Sequence, residues 1–376
     1  MILRLRRRSS RMIATVAIVV MAFPLAGLLI AWLGIYNVAA SRGHWWITDW
    51  LLAFGMRQSV ATHSLSVEPP PLDDDNHIRL GAAHFHGGCA HCHGAPGIPR
   101  NPLVQGMLPI PPDLSGVSGQ WKDRELFWIV KHGIKYTGMP SWPSLQRDDE
   151  VWAVTAFLKR LPALDAAGYR ELAMGDVEEP PESGRDIALG RVAEHSAGAC
   201  GRCHGADARG PRSNLVPILH GQPSDFLTAA LHAYANGDRE SGIMQTIAAD
   251  LAPEAMQRVA AYYSALQTPE RKPRSDTAGV ESGRTIATKG IAEAGIPPCL
   301  ACHGREALPS YPRLAGQHAV YMKGQLRLRR DGVTFRSGSA AIMAPIARRL
   351  SDKQIEEVSA FFEAFIDAPS DQDKQP

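Results

Sequence analysis

The chain has 376 residues, a formal net charge of +2 and six cysteines. That length implies about two or three domains, and so small a charge gives no case for nucleic-acid binding. With 34 glycines and 28 prolines, above average usage, the domains are expected to be rich in loops.

The N-terminus is basic over 1–11, with Arg4, Arg6, Arg7, Arg8 and Arg11, and an uncharged apolar run follows over 12–35. That run is long enough to span a bilayer as a helix. The arginines predict a cytoplasmic N-terminus, with the rest of the chain on the outer side. The rival is a cleaved export signal cut after Ala40, but signal cores usually hold only about 7–15 apolar residues. A retained anchor over 12–35 is the favoured expectation. Residues 36–75 read as a juxtamembrane segment and linker. Trp45, Trp46, Trp50, Leu51, Phe54 and Met56 crowd its first half. Such aromatics suit the headgroup zone, so a short helix on the membrane surface or on a membrane partner is expected. A packed first helix of the soluble part is the alternative. Pro69, Pro70, Pro71 and Asp73 to Asp75 make a stiff, exposed connection.

Beyond it, one five-residue pattern occurs three times and uses every cysteine: Cys89-Ala90-His91-Cys92-His93, Cys200-Gly201-Arg202-Cys203-His204 and Cys299-Leu300-Ala301-Cys302-His303. C-x-x-C-H is the attachment signal for c-type haem. Cysteines at i and i+3 share one side of a helical turn, and a histidine at i+4 stacks above the first. Two thiols can then bond one porphyrin edge while the imidazole reaches the iron. A zinc site would have to combine copies about a hundred residues apart, against ordinary ligand spacing. Disulfides would not explain the recurring histidine. Three covalently bound haem c groups are therefore expected, held by Cys89, Cys92, Cys200, Cys203, Cys299 and Cys302, with His93, His204 and His303 on the irons.

The expected units are a first domain over 76–162, a linker over 163–181, a second domain over 182–268, a linker over 269–280, a third domain over 281–367 and a tail over 368–376. The second and third are an internal repeat. Glu182-Ser183-Gly184-Arg185 matches Glu281-Ser282-Gly283-Arg284, and Pro217-Ile218-Leu219-His220-Gly221-Gln222 recurs as Pro312-Arg313-Leu314-Ala315-Gly316-Gln317. Each domain is expected to close on an amphipathic helix, over 148–160, 253–266 and 351–366. Gly81, Gly184 and Gly283 should let an opening helix cross it closely, with aromatics at the contact. Methionine, which raises a haem potential, is the natural sixth ligand of a carrier. Met244 and Met343 both lie 40 residues after their motif histidine, and Met139 sits in the Gly138-Met139-Pro140 loop. These three are the expected iron ligands. Met107, Met174, Met256 and Met322 read as core filler.

Residues 182–367 resemble the dihaem cytochrome c4 family. The resemblance rests on C-x-x-C-H-G, Pro312 with Gly316-Gln317, Tyr321 with Gln325-Leu326, Ile342-Met343-Ala344-Pro345-Ile346-Ala347 and Leu350-Ser351-Asp352. In the second domain Met244-Gln245-Thr246 departs from the family's Met-Ala-Pro. Residues 76–162 resemble a monohaem class I cytochrome c, and Gly133 to Pro140 is similar to cytochrome subunits of membrane-bound dehydrogenases and oxidases. The resemblance implies all-α domains and periplasmic electron transfer in a bacterium. The N-terminal helix lies outside it; taken together, the expected architecture is all-α, three tandem class I cytochrome c domains after a transmembrane helix in the inner membrane. The expected role is a carrier with no catalytic residues. Its donor would be a quinol-oxidising complex or dehydrogenase, and its acceptor a terminal oxidase or soluble cytochrome. The alternatives are the cytochrome subunit of a periplasmic alcohol or sugar dehydrogenase and, from another class, a haem peroxidase or gas-binding protein.

Overall fold

The computed structural model describes residues 2–175, 197–206, 209–269, 279–304, 307–333 and 338–365. Gly184, most of the stretch 269–280 and the tail 368–376 lie outside the described residues. Among the described residues every regular element is a helix. In chain order these are α1 (Ile2–Trp32), α2 (Trp46–His63), α3 (Asp75–Gly88), α4 (Ala90–His93), α5 (Pro102–Gln105), α6 (Leu114–Val117), α7 (Asp123–His132), α8 (Asp148–Arg160), α9 (Ala166–Ala173), α10 (Ala197–His204), α11 (Ser224–Ala235), α12 (Gly242–Ala249), α13 (Pro253–Ala265), α14 (Val280–Lys289), α15 (Leu300–His303), α16 (Ala319–Arg330), α17 (Gly338–Arg349) and α18 (Asp352–Ala364).

The first core forms where α3 crosses α8. Ile78, Ala82 and Phe85 recur at helical spacing on α3, as do Val151, Val154, Phe157 and Leu158 on α8, and all are buried. Asp74 caps α3 by accepting from the Asn76 N–H at 2.7 Å. Asp148, Asp149 and Glu150 open α8, and Lys159 and Arg160 close it, which complements the helix dipole. Gly81 makes the crossing possible: a Cβ there would sit 2.1 Å from the Ala153 carbonyl oxygen. Beside it Phe85 packs on Phe157, with ring centroids 5.2 Å apart. The third core repeats the device. A Cβ on Gly283 of α14 would meet the Glu357 carbonyl oxygen of α18 at 2.0 Å, next to Phe361.

The stretch 163–181 does not behave as a free linker throughout. Over Ala166–Ala173 it is helical, and Tyr169 is buried against Phe85 and Phe157. Its hydroxyl hydrogen-bonds His86 Nδ1 at 3.1 Å. Val67 and Leu72, in the segment before α3, also pack on this core. Helix α2 divides its two predicted roles along its length. Val60 is buried, His63 meets the Trp128 ring and the Arg57 guanidinium lies over Trp121 at 5.1 Å. Trp46, Trp50, Leu51 and Phe54 in its first half stay exposed. Segment Met12–Trp32 of α1 is long and apolar enough to cross a membrane, and none of it is buried.

The first unit is docked on the second. Ser213 Oγ donates to the Asn76 carbonyl at 2.9 Å, and the Asn214 N–H donates to Asn76 Oδ1 at 2.9 Å. Arg212 Nη1 donates to the Glu171 carbonyl, and Arg147 Nη1 to that of Glu240 at 2.9 Å. The second and third units meet through a reciprocal clamp. Gln222 accepts from the Arg313 N–H at 2.9 Å and donates to the Arg313 carbonyl at 2.8 Å. Gln317 does the same with Ile218, at 2.9 and 3.1 Å. Gln222 and Gln317 occupy equivalent repeat positions, as do Ile218 and Arg313. The contact is thus self-complementary in the manner of a two-fold interface.

Candidate haem sites

Each cysteine motif folds as one helical turn. The Cys89 carbonyl accepts from the N–H groups of Cys92 and His93 at 3.1 and 3.0 Å. The Cys299 carbonyl accepts from those of Cys302 and His303 at 3.2 and 2.9 Å. The middle motif ends α10. All six thiols are free. Burial pushes the Cys89 thiol up to about 12 and those of Cys203 and Cys299 up to about 11. A thioredoxin-like pair needs a thiol shifted the other way, so dithiol redox chemistry is a poor match.

The three motif histidines are each under one-tenth exposed and share one hydrogen bond. His93 Nδ1 donates to the Pro112 carbonyl at 2.8 Å, His204 Nδ1 to that of Pro217 at 3.0 Å, and His303 Nδ1 to that of Pro312 at 2.9 Å. A carbonyl only accepts, so each bond sets the proton on Nδ1 and leaves Nε2 as the lone-pair nitrogen. Burial keeps the three rings neutral, with His204 lowered to about 4. A neutral imidazole, oriented through its second nitrogen, is what an iron requires.

In the second unit a single cavity is lined by Cys200, Cys203, His204 and Met244. Its wall is largely apolar, with Leu219, Phe226, Leu227, Ile247 and Tyr263. Tyr263 is fully buried and donates from its hydroxyl to the Gly205 carbonyl at 2.8 Å, beside the motif. Arg239 and Arg329 also line the cavity. Arg239 donates to the Tyr321 hydroxyl at 3.2 Å and to Gln325 Oε1 at 3.1 Å. Burial and the neighbouring Arg239 lower Arg329 to about 10. An apolar chamber with a paired-thiol turn, an oriented imidazole, a thioether and buried cations fits a covalently held haem with its carboxylates.

The comparisons with known proteins agree. The family model described as cytochrome c oxidase, cbb3-type, subunit III matches residues 76–158. A thiosulfate dehydrogenase electron acceptor of Stutzerimonas stutzeri is 37% identical over 183 residues, which cover 48% of this chain and 84% of that protein. Cytochrome c4 of Pseudomonas aeruginosa is 31% identical over 182 residues, which cover 47% of this chain and 88% of that one. The chain is a c-type cytochrome of the cytochrome c4 family. It belongs with electron carriers rather than catalytic enzymes.

Motif reading met Pro217 and Pro312 as repeat positions but missed Pro112, and it gave none of the three the role of orienting a histidine of this cytochrome. Their signal is a Pro-x-Leu triplet after each motif: Pro112-Asp113-Leu114, Pro217-Ile218-Leu219 and Pro312-Arg313-Leu314. It is easy to miss because proline and histidine lie 19, 13 and 9 residues apart in the three units. Met244 lines the same cavity as its motif. It lies in the first turn of α12, where Ser241 Oγ accepts from its N–H at 3.0 Å. Met139 is half-buried in the loop before α8, and Met343 is half-buried on α17, two residues before Pro345. Met256 and Met322 are buried among helix contacts.

Proposed function

We propose that this cytochrome is a membrane-anchored carrier with three haem sites. It takes single electrons from a quinol-oxidising complex or dehydrogenase and passes them to a terminal oxidase or soluble cytochrome. The observation that carries this reading is the threefold recurrence of a Cys-x-x-Cys-His turn whose histidine is tied through Nδ1 to a proline carbonyl. When bound, haem supplies reversible one-electron chemistry at its iron. Cys89 with Cys92, Cys200 with Cys203 and Cys299 with Cys302 would hold it by thioether bonds. His93, His204 and His303 would be the fifth ligands, and Met139, Met244 and Met343 the sixth. Arg239 and Arg329 would meet haem carboxylates at the junction of the second and third units. The docked units keep the sites in fixed relation, so a mobile hinge is not required between the first and second. Segment 12–35 would hold the chain in a bacterial inner membrane, N-terminus inside and haem domains in the periplasm. The exposed tryptophans of α2 would rest at the outer headgroup zone. Anchoring raises the local concentration near membrane partners.

Two measurements test the reading. With residues 1–40 exchanged for a cleavable export signal, the matured cytochrome should move from the membrane to the soluble fraction. In native membranes carrying the full chain, quinol should reduce its haem absorption and oxygen should then reoxidise it. Prompt carbon monoxide binding to one haem of the reduced wild type would instead favour a peroxidase or gas-binding protein. The Stutzerimonas relative is named as the electron acceptor of a thiosulfate dehydrogenase, which supports a second reading, a cytochrome subunit serving a periplasmic dehydrogenase. Copurification of a dehydrogenase in equal amount would select it.

A further inference from the structure

One carboxylate joins the first unit to the ligand helix of the second. Glu150 lies on α8 and is 3% exposed. Its Oε1 accepts from Ser241 Oγ at 2.5 Å and faces Arg147 Nη2 at 2.9 Å. Its Oε2 accepts from the Gly242 N–H at 2.6 Å, the Ile243 N–H at 3.3 Å and Trp142 Nε1 at 3.3 Å. Those N–H groups open α12, the helix that carries Met244 in its first turn. A carboxylate there satisfies donors that no helix can satisfy internally, and it complements the helix dipole.

Packing reinforces the bond. A Cβ on Gly242 would stand 1.9 Å from Trp142 Nε1, so glycine is needed for the indole to press against the helix start. Ile243 belongs to the hydrophobic core of the first unit, and Ile247 packs on it. Ile243 and Ile247 are four apart and share one face of α12. Met244, beside that face, lines the cavity with His204. Trp142 itself lies three residues after Met139, so the two methionine-bearing segments are locked against each other.

From this we infer that Glu150, with Trp142, is a positioning residue for the second haem site: the first unit holds Met244 at its iron through the start of α12. The inference rests on the proposed ligand role of Met244 and deepens it. Without Glu150, four donors (Ser241 Oγ, the Gly242 and Ile243 N–H groups and Trp142 Nε1) lose their acceptor, and α12 is free to rotate or fray at the turn that carries the thioether. A docking contact at the rim, such as Asn76 with Asn214, has no such link to the ligand.

The test uses the full-length, exported and haem-loaded cytochrome and its variants Glu150→Gln, Met244→Ala and Asn76→Ala. The readouts are the methionine-to-ferric-iron charge-transfer band, carbon monoxide binding after reduction, and haem count by mass. Met244→Ala should lose the band contribution of one haem and gain carbon monoxide binding at one haem. Glu150→Gln keeps the shape but places an amide N–H2 among donors. It should lose at least half of that same contribution with the haem count unchanged, while Asn76→Ala keeps the full band. A full band in Glu150→Gln beside a diminished one in Met244→Ala overturns the positioning role and leaves the ligand reading standing. A full band in Met244→Ala overturns both. An equal loss in Asn76→Ala overturns the positioning role in favour of general docking. If Glu150→Gln does not mature, Glu150→Asp, which keeps the charge but shortens its reach to the start of α12, decides: a partial loss of the band supports the proposal and a full band overturns it.

Discussion

Alanine at Gly81 is expected to destabilise the first unit by about 3 kcal/mol, the upper end of what overpacking usually costs. The reason is the neighbour, not the residue. The new Cβ would meet the Ala153 carbonyl oxygen at 2.1 Å and the Phe157 Cβ at 2.9 Å, and a backbone carbonyl inside α8 cannot step aside alone. Helices α3 and α8 would have to separate, loosening Phe85 from Phe157 and both from Tyr169. The same change at Gly283 meets the Glu357 carbonyl at 2.0 Å and should act alike on the third unit. Gly55, inside α2 with open space around it, is the control. Alanine there should stabilise by about 0.5–1 kcal/mol through backbone entropy. Guanidinium unfolding followed by haem absorbance measures all three. Coincident curves for Gly81→Ala and the wild type would mean that the helices do not cross as described.

Replacing Cys299 and Cys302 together by serine should leave a cytochrome with one haem fewer, two in place of the proposed three. Mass analysis of the exported protein should fall by one haem, and reduced haem absorption should fall by about a third. The core of the third unit is divided into two small clusters, one around Ile286, Ala287, Met322, Val358, Phe361 and Phe362 and one around Ile296, Leu350 and Ile355. A domain of that size buries too little to be robust without a covalent apolar cofactor. Loss of its haem should therefore also weaken the clamp of Gln222 on Arg313 and of Gln317 on Ile218. Three haems persisting in the double variant would break the assignment of the motif to attachment.

Much of this was local, and local features can be read from a chain. The helices at Asp148–Arg160, Pro253–Ala265 and Asp352–Ala364 lie within a residue or two of their periodic pattern, because apolar residues at i, i+3 and i+7 need only a helix to face one way. In the structure Ser351 and Gln354 close the start of the last of them as a capping box. Tyr169 was harder. It sits in a short helix after Pro162 and before a run of acidic and proline residues, so composition read 163–181 as linker, and only contact with Phe85 and Phe157 makes Ala166–Ala173 part of a core. Glu150 gives no sign of its role for a related reason. An acid in the first turn of a helix is the ordinary surface complement to a dipole. Nothing in its neighbours says that another unit, more than ninety residues on, will cover it with Ser241 and Gly242.

By itself the sequence determined the chemistry: three turns that place two thiols and an imidazole together, spaced by the geometry of one helical turn and so independent of anything distant. It also determined the apolar segment that precedes them. Tertiary structure alone decided which carbonyl orients each histidine, how Gln222 and Gln317 exchange partners, and that Glu150 of the first unit closes the helix of Met244. Those contacts join residues at irregular separations, and their free energy arises from burying and pairing polar groups across interfaces, a quantity that no window along the chain contains.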